Sequence, residues 1–380
     1  MDWRDKILRR LHFCIGALLS IPLVMLGLTG SVLVYEPELT SWLDPVPPVS
    51  AAAPGQSLVA IIAAARAAAP EGWIPTMILP SDAATVPAEV RLSDPKRGPG
   101  PGGLQMYIDP VSLAVVGQHE PGANLIRRIF LLHANLMSTD RSGREIVGWF
   151  GVAMCTLGVT GLVLWWPARR RLGAALTVDT RARGPVLLRQ IHGAAGIWGL
   201  VVFLLVSFTG VWLSFPQGFN ATAASLLGTR DLRPGVAAIA VTPAAGVDAL
   251  DVDGAVALAV AAAPDAKLRS VALPLKTSQP FRVALTRAGQ TLPVVAFIDP
   301  WTKRVAELRD PKNYSVADRL VASVHAIHDG SWLGWPWRLL VFASGLLPAL
   351  FAGSGLAMWL MKRRARRAPS RVRVYGVPGE

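Results

Sequence analysis

Six histidines carry most of the chemistry open to this chain, and four of them stand at the thresholds of long apolar runs. In RQIHGAAGIWGL, residues 189–200, His192 lies one step inside an uncharged run and is followed by Gly193, Gly196 and Gly199. His12 occupies the same place in LHFCIGALLS, His133 falls in LLHANL, and His325 falls in SVHAIH. A lone histidine at a helix end can snorkel to the interface or cap a carbonyl. Imidazoles near lipid are costly, however, and are usually functional.

Other chemistries find little support. The two cysteines, Cys14 and Cys155, both lie in apolar runs, so no disulfide is expected in the polar segments and no cysteine-rich metal motif exists. No nucleophile triad, glycine-rich phosphate loop or metalloprotease motif is evident. His325 and His328 at i, i+3 share a helix face and could hold zinc, but no acidic third ligand lies close by, which favours a haem-ligand or substrate-facing role for His328. His119, at the end of an expected hairpin, reads as a solvated loop residue.

The elements that must position these groups are membrane helices. The chain has 380 residues, 52% hydrophobic and 17% charged, with mean hydropathy +0.41, too apolar for an ordinary soluble protein. Phe13–Tyr35, Ile146–Trp166, Gly193–Phe215 and Leu339–Met361 are each long enough to cross a bilayer, which needs about 20 apolar residues. The N-terminus, the 167–190 loop and the tail hold 17 of the 38 lysines and arginines against four acidic residues, so they account for the whole net charge of +13. The two long segments are balanced. The positive-inside rule then predicts cytoplasmic termini and loop, with both long segments exported. The basic charge reports topology, and no nucleic-acid partner is expected. The first run begins like a signal peptide but is too long and lacks a cleavage site, so it is expected to be a retained anchor.

An internal repeat organises the spans. LHFCIGALLSIPLVMLGLTGSVL from Leu11 aligns with IHGAAGIWGLVVFLLVSFTGVWL from Ile191, matching His12 with His192 and Thr29-Gly30 with Thr209-Gly210. LLHANL aligns with SVHAIH, matching His133 with His325 and leaving His328 opposite Leu136. Two halves of the same orientation imply a pseudo-two-fold axis along the membrane normal. His12 would face His192 near the cytoplasmic surface, and His133 would face His325 near the outer surface. Two neutral imidazoles converging in this way can be trans axial ligands of one haem iron, so two haems are expected at different depths. Gly16 and Gly196, one turn beyond their histidines, would leave room for a porphyrin face. The repeated LTGSVL, VTGLVL, FTGVWL and GSGLAM are expected to serve close helix packing, and the tryptophans near span ends to anchor at the interface.

The exported segments predict α+β structure. Ser57–Ala69 and DGAVALAVAAAP read as helices, WIPTMILP, LRSVALPL and FRVALT as strands, and LQMYIDPVSLAVVG and VVAFIDPWTKRVAEL as hairpins turning at Asp-Pro. DPKRGPGPGG, 94–103, reads as a flexible loop.

With its entry histidine, helix–strand domain and LHANL…GREIVGWFGVAMCTLGVTGLVLWWP, the chain resembles the PepSY-associated transmembrane family of iron-regulated inner-membrane proteins. The resemblance implies a mixed-class membrane protein: a four-helix transmembrane bundle built from a tandem, parallel repeat, with two periplasmic PepSY-like α+β domains. Its expected organisation is N-terminus and first span 1–35, periplasmic domain 36–143, second span 144–167, basic loop 168–190, third span 191–216, periplasmic domain 217–337, fourth span 338–361 and basic tail 362–380. For members of this size the resemblance implies an oxidoreductase of the bacterial inner membrane that reduces ferric siderophore and releases Fe(II). Its b-type haems would be held by His12, His192, His133 and His325, with His328 as an additional candidate. The electron donor would be quinol or a separate cytosolic reductase, since no flavin domain fits the short cytoplasmic parts. A non-redox PepSY binding or regulatory protein and a siderophore permease are the competing readings.

Overall fold

The computed structural model describes residues 3–46, 48–49, 55–81, 85–96, 103–120, 124–166, 172–230 and 239–367. Most of the 94–103 loop, arginines 169–171 and the tail beyond 367 lie outside the described residues. The first half comprises α1 (Trp3–Leu18), α2 (Ser20–Leu33), α3 (Glu36–Leu43), α4 (Leu58–Ala68), β1 (Ile74–Leu79), β2 (Ala88–Ser93), β3 (Gly103–Ile108), β4 (Val115–His119), α5 (Leu125–Asn135) and α6 (Ser142–Trp165). The second comprises α7 (Leu172–Ala175), α8 (Gly184–Ser214), α9 (Pro216–Leu227), α10 (Val252–Ala262), β5 (Lys267–Ala272), β6 (Phe281–Thr286), β7 (Val294–Asp299), β8 (Arg304–Arg309), α11 (Val316–Ala322), α12 (Val324–Asp329) and α13 (Trp335–Arg367).

The chain is a membrane protein with a few long apolar helices and a separate antiparallel sheet. Helices α6, α8 and α13 are each long and apolar enough to cross a bilayer, and α1 with α2 adds a fourth if the two count as one span. The expected straight span Phe13–Tyr35 is therefore corrected: α1 and α2 meet at 66° across Leu19. Pro22 explains the break, because a helix continuing from α1 would need its missing N–H and would clash with the carbonyl one turn back. In α13, Pro348 is accommodated without a break and packs against Gly27 of α2. There the two helices touch backbone to backbone, since a Cβ on Gly345 would lie 2.6 Å from the Gly27 oxygen. Ser31 Oγ adds a hydrogen bond to the Phe342 carbonyl at 2.8 Å. Helices α6 and α8 approach as closely at Gly151 and Gly158, where a Cβ would fall 2.8 Å from Val211 and 2.6 Å from Leu204.

The two long polar segments build one eight-stranded sheet, in the order β4-β3-β2-β1-β5-β6-β7-β8, where two separate domains were expected. The halves join through β1 and β5, with Met77 opposite Ala272 and Ile78 opposite Val271. Both expected hairpins turn at Asp-Pro: Asp109 accepts from the Val111 amide and Asp299 from the Trp301 amide, each at 2.9 Å. Helices α4 and α10 cover one face, and a single core runs beneath them from Ile61, Val90 and Met106 to Ala255, Val271 and Val283. The halves are also bonded directly, because the Asp253 carboxylate of α10 accepts from the Leu58 and Val59 amides at the start of α4, at 2.9 and 3.1 Å.

Candidate functional site

Four imidazoles fall into two pairs at opposite ends of the helices, with His328 in the place expected of His325. His12 on α1 faces His192 on α8 with ring centres 6.4 Å apart, at the end where α8 begins. His133 on α5 faces His328 on α12 with ring centres 6.1 Å apart, at the sheet end. Seventeen residues of α8 separate His192 from Thr209, which touches His328, a span of roughly 25 Å.

Each imidazole is held through Nδ1 by a hydroxyl from a neighbouring helix. His12 meets Thr160 Oγ1 at 2.8 Å and His192 meets Ser354 Oγ at 2.8 Å. His133 meets Thr29 Oγ1 at 3.0 Å and the Leu26 carbonyl at 3.1 Å, while His328 meets Thr209 Oγ1 at 3.2 Å and the Val206 carbonyl at 2.9 Å. All four hydroxyls donate their own proton to a carbonyl one turn back: Thr160 to Thr156, Ser354 to Leu350, Thr29 to Met25 and Thr209 to Leu205, at 2.7–2.8 Å. A hydroxyl whose proton is so engaged can only accept from the ring. The proton is thereby fixed on Nδ1 and the lone pair on Nε2, the form that binds a metal. None of the four Nε2 atoms has a hydrogen bond among the described residues. Burial drives the His133 imidazole down to about 4 and lowers His328 as well, so both remain neutral.

The threonine–glycine and serine–glycine pairs of the four spans thus do more than the close packing expected of them. Each contributes the hydroxyl for one histidine. Gly30 and Gly210 also make room for the outer rings, since a Cβ at either would lie 3.0 Å from Cε1 of His133 or His328. Sequence alone withheld this role because the hydroxyl and its histidine lie on different helices; the recurrence of the motif once per span was the available signal.

The expected partner of His133 is corrected from His325 to His328. Matching the His-Ala dipeptides of LLHANL and SVHAIH set the outer alignment three residues out of register. Helix α5 is continuous, whereas its counterpart is split at Ser323 into α11 and the short α12, which buries Val324 and Ile327, leaves His328 half-buried and turns His325 outward. The His325 side chain is 73% exposed and pairs with Asp329 at 2.9 Å, which raises its pKa. His119 is not a loop residue: it lies on β4, with Nε2 3.0 Å from Asp44 and its ring edge-on to Tyr107.

Each pair has the donor type and spacing that could hold one haem iron. Imidazole nitrogens about 2 Å from a metal, with ring centres roughly 1 Å further out, put the centres about 6 Å apart. At Gly16 a Cβ would meet only Leu157 at 3.8 Å, and at Gly196 only the Phe351 ring at 3.9 Å, so the backbone beside the inner pair is uncrowded. No group of three or more His, Cys, Asp or Glu capable of holding a bare metal ion occurs among the described residues. Each imidazole pair could supply two nitrogen ligands to a metal whose remaining donors come from a bound group.

An uncharacterized protein of Pseudomonas aeruginosa is 29% identical over 260 residues, covering 61% of this chain. The match spans 62% of that protein's own length. The description of the PepSY-associated TM region matches residues 9–362. The chain belongs to the PepSY-associated transmembrane family.

Proposed function

We propose that this chain is a di-haem b-type ferric reductase of the bacterial inner membrane, passing electrons outward to reduce ferric siderophore and release Fe(II) for uptake. The observation that carries the reading is the pair of imidazole couples, about 25 Å apart along α8, each ring with an Nε2 that has no hydrogen bond among the described residues. His12 with His192 would hold one b-type haem and His133 with His328 the other. Bound there, such haems supply one-electron chemistry at two depths. The chain's own contribution is positioning: Thr160, Ser354, Thr29 and Thr209 fix tautomer and ring orientation, and the bent α1–α2 pair with α6, α8 and α13 forms a four-span bundle of two like halves. The lysine and arginine distribution supports cytoplasmic termini and a periplasmic sheet. Oxygen-donor chelates hold Fe(III) far more tightly than Fe(II), so a delivered electron serves as the release step. The layout also resembles the ferrisiderophore reductase FoxB. Quinol, or a cytosolic reductase meeting the basic face, would be the donor.

Visible spectra and pyridine haemochrome content of detergent-purified protein test this. The expected result is about two b-type haems per chain, falling by about one in His192→Ala and in His328→Ala and unchanged in His325→Ala. A colourless wild-type protein refutes the reading and favours a binding or transport role.

A further inference from the structure

A cleft of about 510 Å³ lies between the sheet and the residues on either side of the helix that carries His328, within the range typical of ligand sites. Gln290 and Thr291 come from the turn between β6 and β7, Lys312 follows β8, Arg319 projects from α11, Ser323 precedes α12, and Trp332 follows it. The cleft connects to the outer imidazole pair through direct contacts. The Trp332 ring meets the Trp337 ring edge-on at 5.8 Å, and Trp337 Nε1 donates to the carbonyl of Ile327, the residue before His328, at 3.0 Å. The Trp332 amide also donates to the Ala326 carbonyl at 3.0 Å, so the wall of the cleft and the turn bearing His328 form one closed loop.

The charge of the lining is one-sided. Among the described residues the lining holds two cations and no carboxylate. Lys312 is matched by Asp265 at 2.6 Å, and the buried Arg287 beneath it is matched by Asp265 and Asp310. Arg319 uses only Nε, donating to the Tyr314 carbonyl at 3.1 Å, and its two terminal nitrogens have no hydrogen bond among the described residues. A guanidinium with a free fork beside a hydroxyl, an amide and an indole face suits a flat, oxygen-rich anion.

We propose that this cleft docks the substrate chelate, and that it selects Fe(III) complexes presenting an anionic catecholate or carboxylate face over neutral hydroxamates. The proposal rests on the reductase reading, which supplies the reason for a ferric chelate to sit beside the outer imidazole pair. The cleft's own binding preference can be measured without reduction.

The test uses full-length, detergent-purified protein and redox-inert probes: gallium(III) tris(catecholate), which is anionic, and gallium(III) tris(acetohydroxamate), which is neutral, followed by calorimetry and by tryptophan quenching. Wild type is expected to bind the catecholate complex about tenfold or more tightly than the hydroxamate, with Arg319→Gln removing most of that preference. Gln290→Glu, on an exposed turn, should weaken catecholate binding and spare hydroxamate binding, with both variants keeping wild-type haem content. Equal binding of the two probes, or unchanged catecholate affinity in both variants, overturns the proposal. Loss of haem from Arg319→Gln without loss of chelate affinity also overturns it, since the arginine would then serve the cofactor. Selective catecholate binding by protein that contains no haem would sustain the cleft assignment while refuting the reductase reading.

Discussion

The hydrogen-bonding of the four imidazoles makes the two pairs unequally sensitive to loss of a hydroxyl. Thr160→Val removes the one acceptor that His12 Nδ1 has among the described residues, at nearly constant volume. Thr29→Val removes one of two acceptors at His133, because the Leu26 carbonyl remains at 3.1 Å. A donor left without a partner in a buried site costs about 1–3 kcal/mol, and second-shell loss typically weakens metal binding about 10–100-fold. Where a backbone carbonyl still accepts, the expected loss is about threefold, roughly 0.6 kcal/mol by the relation of about 1.4 kcal/mol per decade. Thr160→Val should therefore weaken retention of the inner haem by at least about tenfold, and Thr29→Val should weaken retention of the outer one by only about threefold. Haem transfer to excess apomyoglobin, followed at the Soret band, gives both numbers from one experiment. Equal rates in the two variants would refute the argument that these hydroxyls fix the ligand tautomer.

Two further outcomes follow from packing and charge. Gly345→Ala places a methyl group 2.6 Å from the Gly27 carbonyl, which cannot yield as a side chain would, and should lower stability by about 1–3 kcal/mol in a thermal melt in detergent; an unchanged melting temperature would contradict the backbone contact of α2 with α13. Hydrogen bonds from Lys312, then Arg287, hold the Asp265 carboxyl down at about 2, and Arg287 likewise holds Asp310 below the usual carboxylate range. Because these folded-state values are depressed, the stabilisation is complete above about pH 4 and is lost as the pH falls toward 2. Arg287→Gln should accordingly be less stable to proteolysis of the sheet at pH 7, with its deficit shrinking between pH 4 and 2, and a deficit independent of pH would count against the ion pairs.

The sequence announced the long apolar helices, the outline of the sheet hairpins and three of the four paired imidazoles, since hydropathy, Asp-Pro turns and His12 beside its repeat equivalent are local or periodic signals. What it concealed was relational. Pro22 turns the chain at Leu19 within a run whose hydropathy is unbroken. Strand β2 was not anticipated, although its alternating burial at Ala88, Val90 and Leu92 follows period two. The choice between His325 and His328 depended on where α12 begins, and that is decided by the break at Ser323, not by the identity of either residue. The strand ladder crosses between the segments at two residue pairs of β1 and β5, too few to leave a mark in sequence.

That seam has a mechanical consequence. Transporters built from paired repeats work by rocking one half against the other about a central site. Here the halves share a continuous hydrogen-bonded ladder and a common core, and a carboxylate from one half closes the helix start of the other. To swing them apart would tear β1 from β5 and open the buried layer around Ile78 and Val271, so the sheet acts as a clasp that holds the two helical halves at a fixed separation. Such a frame suits a device whose working parts are meant to stay still.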